Sequence, residues 1–84
     1  MRNRDAAVAF GHVLRKLRLQ KDLSQEELAL RAGLDRAYPS LLESGRRQPT
    51  LTVLIALAKA LDITPEVLLR KAVDELDKFA QDMN

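Results

Sequence analysis

Cysteine and tryptophan are absent from this chain of 84 residues, which holds only one tyrosine, two phenylalanines and one histidine. Without cysteine there is no disulfide framework and no thiolate–zinc site. That usage fits a reducing compartment, so a cytoplasmic location is expected. With aromatics at 4%, the core has to be made of leucine, valine and alanine, as in small helical bundles. Long apolar runs are missing as well. The longest, Val53–Ala58, is far short of a bilayer span. The run Ala6–Phe10 behind the N-terminal arginines is too short for a secretory signal, and no membrane partner is expected. Catalytic equipment is also lacking. His12 lies on the surface face of the first helical segment with no nucleophile motif or metal-ligand spacing around it. Asp74, Glu75 and Asp77 read as a solvated helix face. The sequence therefore predicts no enzyme, no metal, no cofactor and no small-molecule ligand.

What is present is helix signal on a chain long enough for one compact domain with a marginal core. The net charge is only +2, but residues 1–65 carry 11 basic and 7 acidic side chains (+4), and residues 66–84 carry 3 and 5 (−2). A mildly basic body with an acidic tail suits contact with a polyanion. Phe10, Val13, Leu14 and Leu17 form one stripe on a helix over Asp5–Gln20. Ser24 with Glu27 three residues on is a capping box for a second helix, which stops at Gly33. Asp35 is the expected cap of a third helix, from Arg36 to about Ser44–Gly45. Thr50 caps a fourth, bearing Leu51, Leu54, Ile55, Leu57, Ala58 and Leu61. Thr64 and Pro65 open a fifth, which nothing breaks before about Gln81.

Two short helices joined by a tight glycine turn are the geometry of a helix-turn-helix. The stretches "LRKLRLQKDLSQEELALRAGLDRAYPSLLESGRRQPTL" and "LIALAKALDITPEVLL" resemble the phage-repressor-like family, also called lambda-repressor-like or Xre-type. The likeness covers residues 8–70 and joins the L-S-Q-E-E-L-A start, the A-G turn, the L-E-x-G end and the P-T-L start of the fourth helix. It implies an all-α fold, a compact five-helix DNA-binding domain over residues 1–70, acting as a homodimer on a two-fold operator in double-stranded DNA. The third helix would be the recognition helix. Arg36, with a planar fork suited to guanine, is the first candidate base reader, followed by Ala37, Tyr38, Ser40 and Leu41. Two readings stand for Tyr38, contact with DNA or packing on the fourth helix. Two also stand for Leu41, thymine methyls or a protein surface. Gln25, Arg46, Arg47 and Thr50 are the candidate phosphate contacts. Arg18 and Glu43 match a structural ion pair of the family.

Pro39 departs from the family pattern, which has a branched apolar residue facing the core there. Its missing N–H predicts an irregular first turn and leaves open where Arg36 and Tyr38 point. Residues 71–84 are expected to extend the fifth helix, with Leu69, Ala72, Leu76, Phe79 and Met83 spaced as a short heptad stripe. The stripe suits dimerisation, or packing back on the first helix near Ala6, Val8 and Phe10. The short chain and its "LDRAY" start also resemble the controller proteins of restriction–modification systems. The competing reading is an antitoxin or adaptor whose helix-turn-helix mainly holds another protein.

Overall fold

The computed structural model describes residues 3–82 and folds them into five α-helices without a strand among them. These are α1 (Asn3–Gln20), α2 (Gln25–Ala32), α3 (Tyr38–Glu43), α4 (Leu51–Ala60) and α5 (Pro65–Asp82). The all-α, five-helix order is the one the apolar periodicity predicts.

Hydroxyl caps set three of the starts. Ser24 Oγ accepts the Glu27 N–H while Glu27 Oε1 accepts the Ser24 N–H, both at 3.0 Å, closing the capping box. Thr50 and Thr64 accept the amides of Val53 and Val67 at 3.1 and 3.2 Å. One device ends the first four helices. Asp22, Gly33, Gly45 and Asp62 have φ of 56°, 68°, 77° and 58°. The amide after each folds back five residues: Leu23 to Arg18, Leu34 to Ala29, Arg46 to Leu41 and Ile63 to Ala58, at 2.8–3.1 Å. A left-handed residue closes the last turn in this way and throws the next side chain inward. Leu23, Leu34 and Ile63 accordingly pack into or against the core, whereas Arg46, at the end of α3, is exposed.

Every helix supplies at least one fully buried leucine: Leu14, Leu28, Leu42, Leu57 and Leu68 in chain order. Burying each stabilises the fold by about 2 kcal/mol. α1 packs most extensively along α5 and next on α3. At Gly11, in the middle of α1, a Cβ would sit 2.7 Å from the Glu43 carbonyl oxygen and would also collide with that of Leu42. The last carbonyls of α3 therefore rest on bare α1 backbone. The sequence reading passed over this glycine, although a lone glycine inside a helical pattern is the available signal.

The C-terminal stripe is partly covered by the chain's own α1. The expected division at residue 70 falls inside α5, which continues unbroken. Ala72, expected at a dimer contact or against the first helix, is 9% exposed and part of the chain's own core, and it also lines one groove with Leu69 and Leu76. The reason is that α5 lies on α1, so a residue at this point of the helix faces Phe10 rather than outward. Phe79 is half-buried and meets His12 edge-on, ring centroids 5.9 Å apart. His12 Nδ1 also lies 3.3 Å from Glu75 Oε2. Leu69 stays 53% exposed. With Leu76 it lines an apolar groove of about 220 Å³ between α1, α4 and α5. Met83 lies outside the described residues.

Candidate nucleic-acid interface

The linker between α2 and α3 differs from its expectation at one point. Asp35 does not cap a helix from Arg36. Its Oδ1 accepts the Ala37 N–H, and its carbonyl accepts the Tyr38 N–H, each at 3.0 Å. This is a single turn, and α3 begins only at Tyr38, with Ala37 in the cap position and no side-chain cap bond. Pro39 is the cause. A helix begun at Arg36 would make its first bond from residue 39 to the carbonyl of residue 35, and proline has no N–H to give. Started at Tyr38, the helix has proline in its first turn, where no donor is needed. The ring is fully buried, so the proline occupies the core-facing slot.

The turn carries Arg36 and Ala37 on the surface, ahead of the helix. Arg36 is 81% exposed, and its Nη2 lies 3.5 Å from Glu26 Oε2 on α2. Such an exposed pair contributes little energy but biases where the fork rests. Tyr38 is half-buried, its ring packed against the core. Ser40 is exposed, and its hydroxyl donates back to the Ala37 carbonyl at 2.9 Å. Leu41 is half-buried rather than fully outward.

Gln25 opens α2, and its Nε2 donates to Glu43 Oε1 at 3.2 Å. Glu43 in turn holds Arg18 in a two-point pair, Nε to Oε2 at 2.7 Å and Nη2 to Oε1 at 3.0 Å. The remaining Arg18 nitrogen donates to the Leu23 carbonyl at 2.7 Å. The two side chains are only 9% and 4% exposed. Hydrogen bonding to Glu43 pushes the Arg18 pKa up from its ordinary value against the effect of burial. Arg46 and Arg47 follow α3, both exposed and both tied through their amides to the Leu41 carbonyl. Arg46 stands at the position where the other helix ends place leucine or isoleucine, so this turn surrenders an apolar contact to present a cation. Thr50 is exposed and uses its hydroxyl to cap α4.

The α2 and α3 starts, the Arg46–Arg47 turn and the α4 start are thus held by a rigid bundle, with exposed donors at each. Among the described residues no group of three or more His, Asp or Glu side chains could hold a metal ion. No helix among them is long and apolar enough to cross a membrane.

A compact five-helix domain built on a capped helix, a glycine turn and a second short helix is a helix-turn-helix protein, and the chain belongs to that family. The helix-turn-helix family model matches residues 14–68. The control protein C.MunI of a Mycoplasma species is 44% identical over 61 residues, which cover 71% of this chain and 82% of the relative. The restriction–modification controller protein C.AhdI from Aeromonas hydrophila is 50% identical, with a TM-score of 0.71 over 74% of this chain and 94% of that one. The controller protein C.Esp1396I, solved as a tetramer on its natural 35-base-pair operator, is 31% identical, with a TM-score of 0.76 over 84% of this chain and 93% of that one.

Proposed function

We propose that this protein is a cytoplasmic, sequence-specific regulator of transcription that binds double-stranded DNA as a homodimer, in the manner of a restriction–modification controller. One observation carries the reading: a short helix is preceded by a turn that exposes Arg36 and followed by a turn that exposes Arg46 and Arg47. Arg36, Ala37 and Ser40 face the major groove, with Arg36 leaving Glu26 for a guanine edge. Gln25, Arg46, Arg47 and Thr50 meet phosphates. Tyr38 serves mainly as packing, because the core already holds part of its ring, whereas Leu41, half-buried, offers its exposed part to thymine methyls. The second copy docks on the groove at Leu54, Leu69 and Leu76. Leu51 lies one turn before Leu54, Ile55 beside it, and both are exposed. Two recognition helices would then lie about 34 Å apart, one turn of the duplex.

Selection from random duplexes at two salt concentrations tests this. A two-fold motif should emerge, Arg36→Ala should relax one position in each half, and Arg46→Ala should weaken all sequences alike and lower the salt slope by about 1. Absence of any enriched motif, with binding confined to a co-purified protein, would favour the antitoxin or adaptor reading instead.

A further inference from the structure

The buried pair of Arg18 and Glu43 has a third member. Glu43 Oε1 accepts both Arg18 Nη2 at 3.0 Å and Gln25 Nε2 at 3.2 Å. An ionised carboxylate can only accept, so it dictates which end of the glutamine amide faces inward. One N–H of the Gln25 side chain is committed to Glu43. The second is left over at the first residue of α2. The backbone amides of Gln25 and Glu26 are left over there too, since the capping box uses those of Ser24 and Glu27. A free glutamine would have to order its torsions on meeting a phosphate, whereas this one is ordered beforehand. Arg18 anchors the carboxylate and neutralises it, so that Glu43 does not repel a polyanion at this helix start.

We propose that Glu43 is a positioning residue for DNA-backbone recognition: it presents the Gln25 amide to a phosphate, with Arg18 as its anchor. The pair that looks purely structural thereby reaches the DNA face through one shared oxygen. This rests on the DNA-binding reading above.

A double-mutant cycle on the selected duplex tests it, with Kd measured for wild type, Gln25→Ala, Glu43→Gln and the double variant. Gln25→Ala is expected to lower affinity about fivefold with Glu43 in place, the scale of one ordered side chain and one hydrogen bond. With Glu43→Gln the same change should lower affinity less than about twofold. Equal fold-losses in the two backgrounds would overturn the proposal. Glu43→Gln disturbs a buried pair and can fail to fold, so relaxation of the Gln25 side-chain amide in the free wild-type protein is a second reading. An order parameter near about 0.8 is expected, and one below about 0.6 would overturn the proposal. If the wild type binds no duplex at all, the DNA reading fails. The relaxation result then still decides whether Glu43 holds the Gln25 side chain.

Discussion

Arg18→Ala is the sharpest test of what holds α1, α2 and α3 in register. Arg18 is buried, at 7% exposure. Its removal leaves Glu43 with a carboxylate 4% exposed and the Gln25 amide as its remaining side-chain donor. It also takes the donor from the Leu23 carbonyl, at the turn that aims α2. Breaking a buried pair on one side costs about 3–5 kcal/mol. Water entering the vacated space offsets part of this, so about 3 kcal/mol is the working figure. A domain of this length has about 4–13 kcal/mol in all, and each kcal/mol moves Tm by about 4–8 °C. Arg18→Ala should therefore melt about 12–24 °C lower than wild type. The exposed neighbour Arg15→Ala should stay within about 0.5 kcal/mol. The assay is thermal unfolding followed by circular dichroism, at equal protein concentration and salt. Small, equal shifts for both variants would refute the reasoning. A third variant separates charge from packing. Arg18→Met with Glu43→Leu removes both ions and should recover most of the loss. If the double variant melts as low as Arg18→Ala, the hydrogen bonds of the pair and of the Leu23 carbonyl were what mattered, not the stranded charge or the lost volume.

Gly11→Ala should destabilise by about 1–3 kcal/mol through overpacking against the end of α3, even though alanine is the better helix former by about 1 kcal/mol. A raised Tm would show that α3 does not rest on that backbone. Glu27 is held below the usual carboxylate range, first by the Ser24 backbone N–H and then by its hydroxyl. A lowered folded-state pKa stabilises fully above the unfolded value, and the gain disappears as pH falls through the folded one. The stability gap between wild type and Glu27→Gln should therefore close as pH drops through the carboxylate range, and a gap that stays constant in pH-dependent melts would contradict the capping assignment. Leu69→Glu places a charge in the groove between α1, α4 and α5 and, if the proposed dimer forms there, should shift sedimentation toward monomer with far-ultraviolet dichroism unchanged. An unaltered dimer would move the interface elsewhere.

Most of the fold was legible because its punctuation is chemical. Ser24, Thr50 and Thr64 announce three helix starts, and Gly33 announces a stop. The ends at Asp22 and Asp62 were harder to read, since aspartate enters the left-handed region less freely than glycine, and here Leu23 and Ile63 after them have a core to fall into. That core is a tertiary fact. The same limit explains Ala72 and Phe79. A heptad stripe records which residues share a face of α5, but not what covers the face, and α1 covers part of it. Gly11 could be noticed as a lone glycine in a helical pattern, but its reason could not be read for a related cause: what excludes a methyl group there is the end of α3, a helix 32 residues further on in the chain.

Pro39 shows how one local rule propagates to the candidate site. Its missing N–H forbids the earlier start of α3, and its buried ring fixes the helix against the core. Asp35 is then free to close a turn instead of capping a helix. Arg36 consequently belongs to the turn, not to α3, and its direction is set by the turn and by Glu26. The helix proposed for recognition loses a candidate base reader from its body by this arrangement, yet gains a cation placed ahead of its first turn. Replacing Pro39 by valine keeps an apolar side chain in the slot and restores the N–H, so α3 can start earlier and draw Arg36 into the helix. On the proposed DNA reading, the base position assigned to Arg36 should then change in a selection from random duplexes, while the phosphate contacts proposed for Arg46 and Arg47, at the other end of the helix, should not.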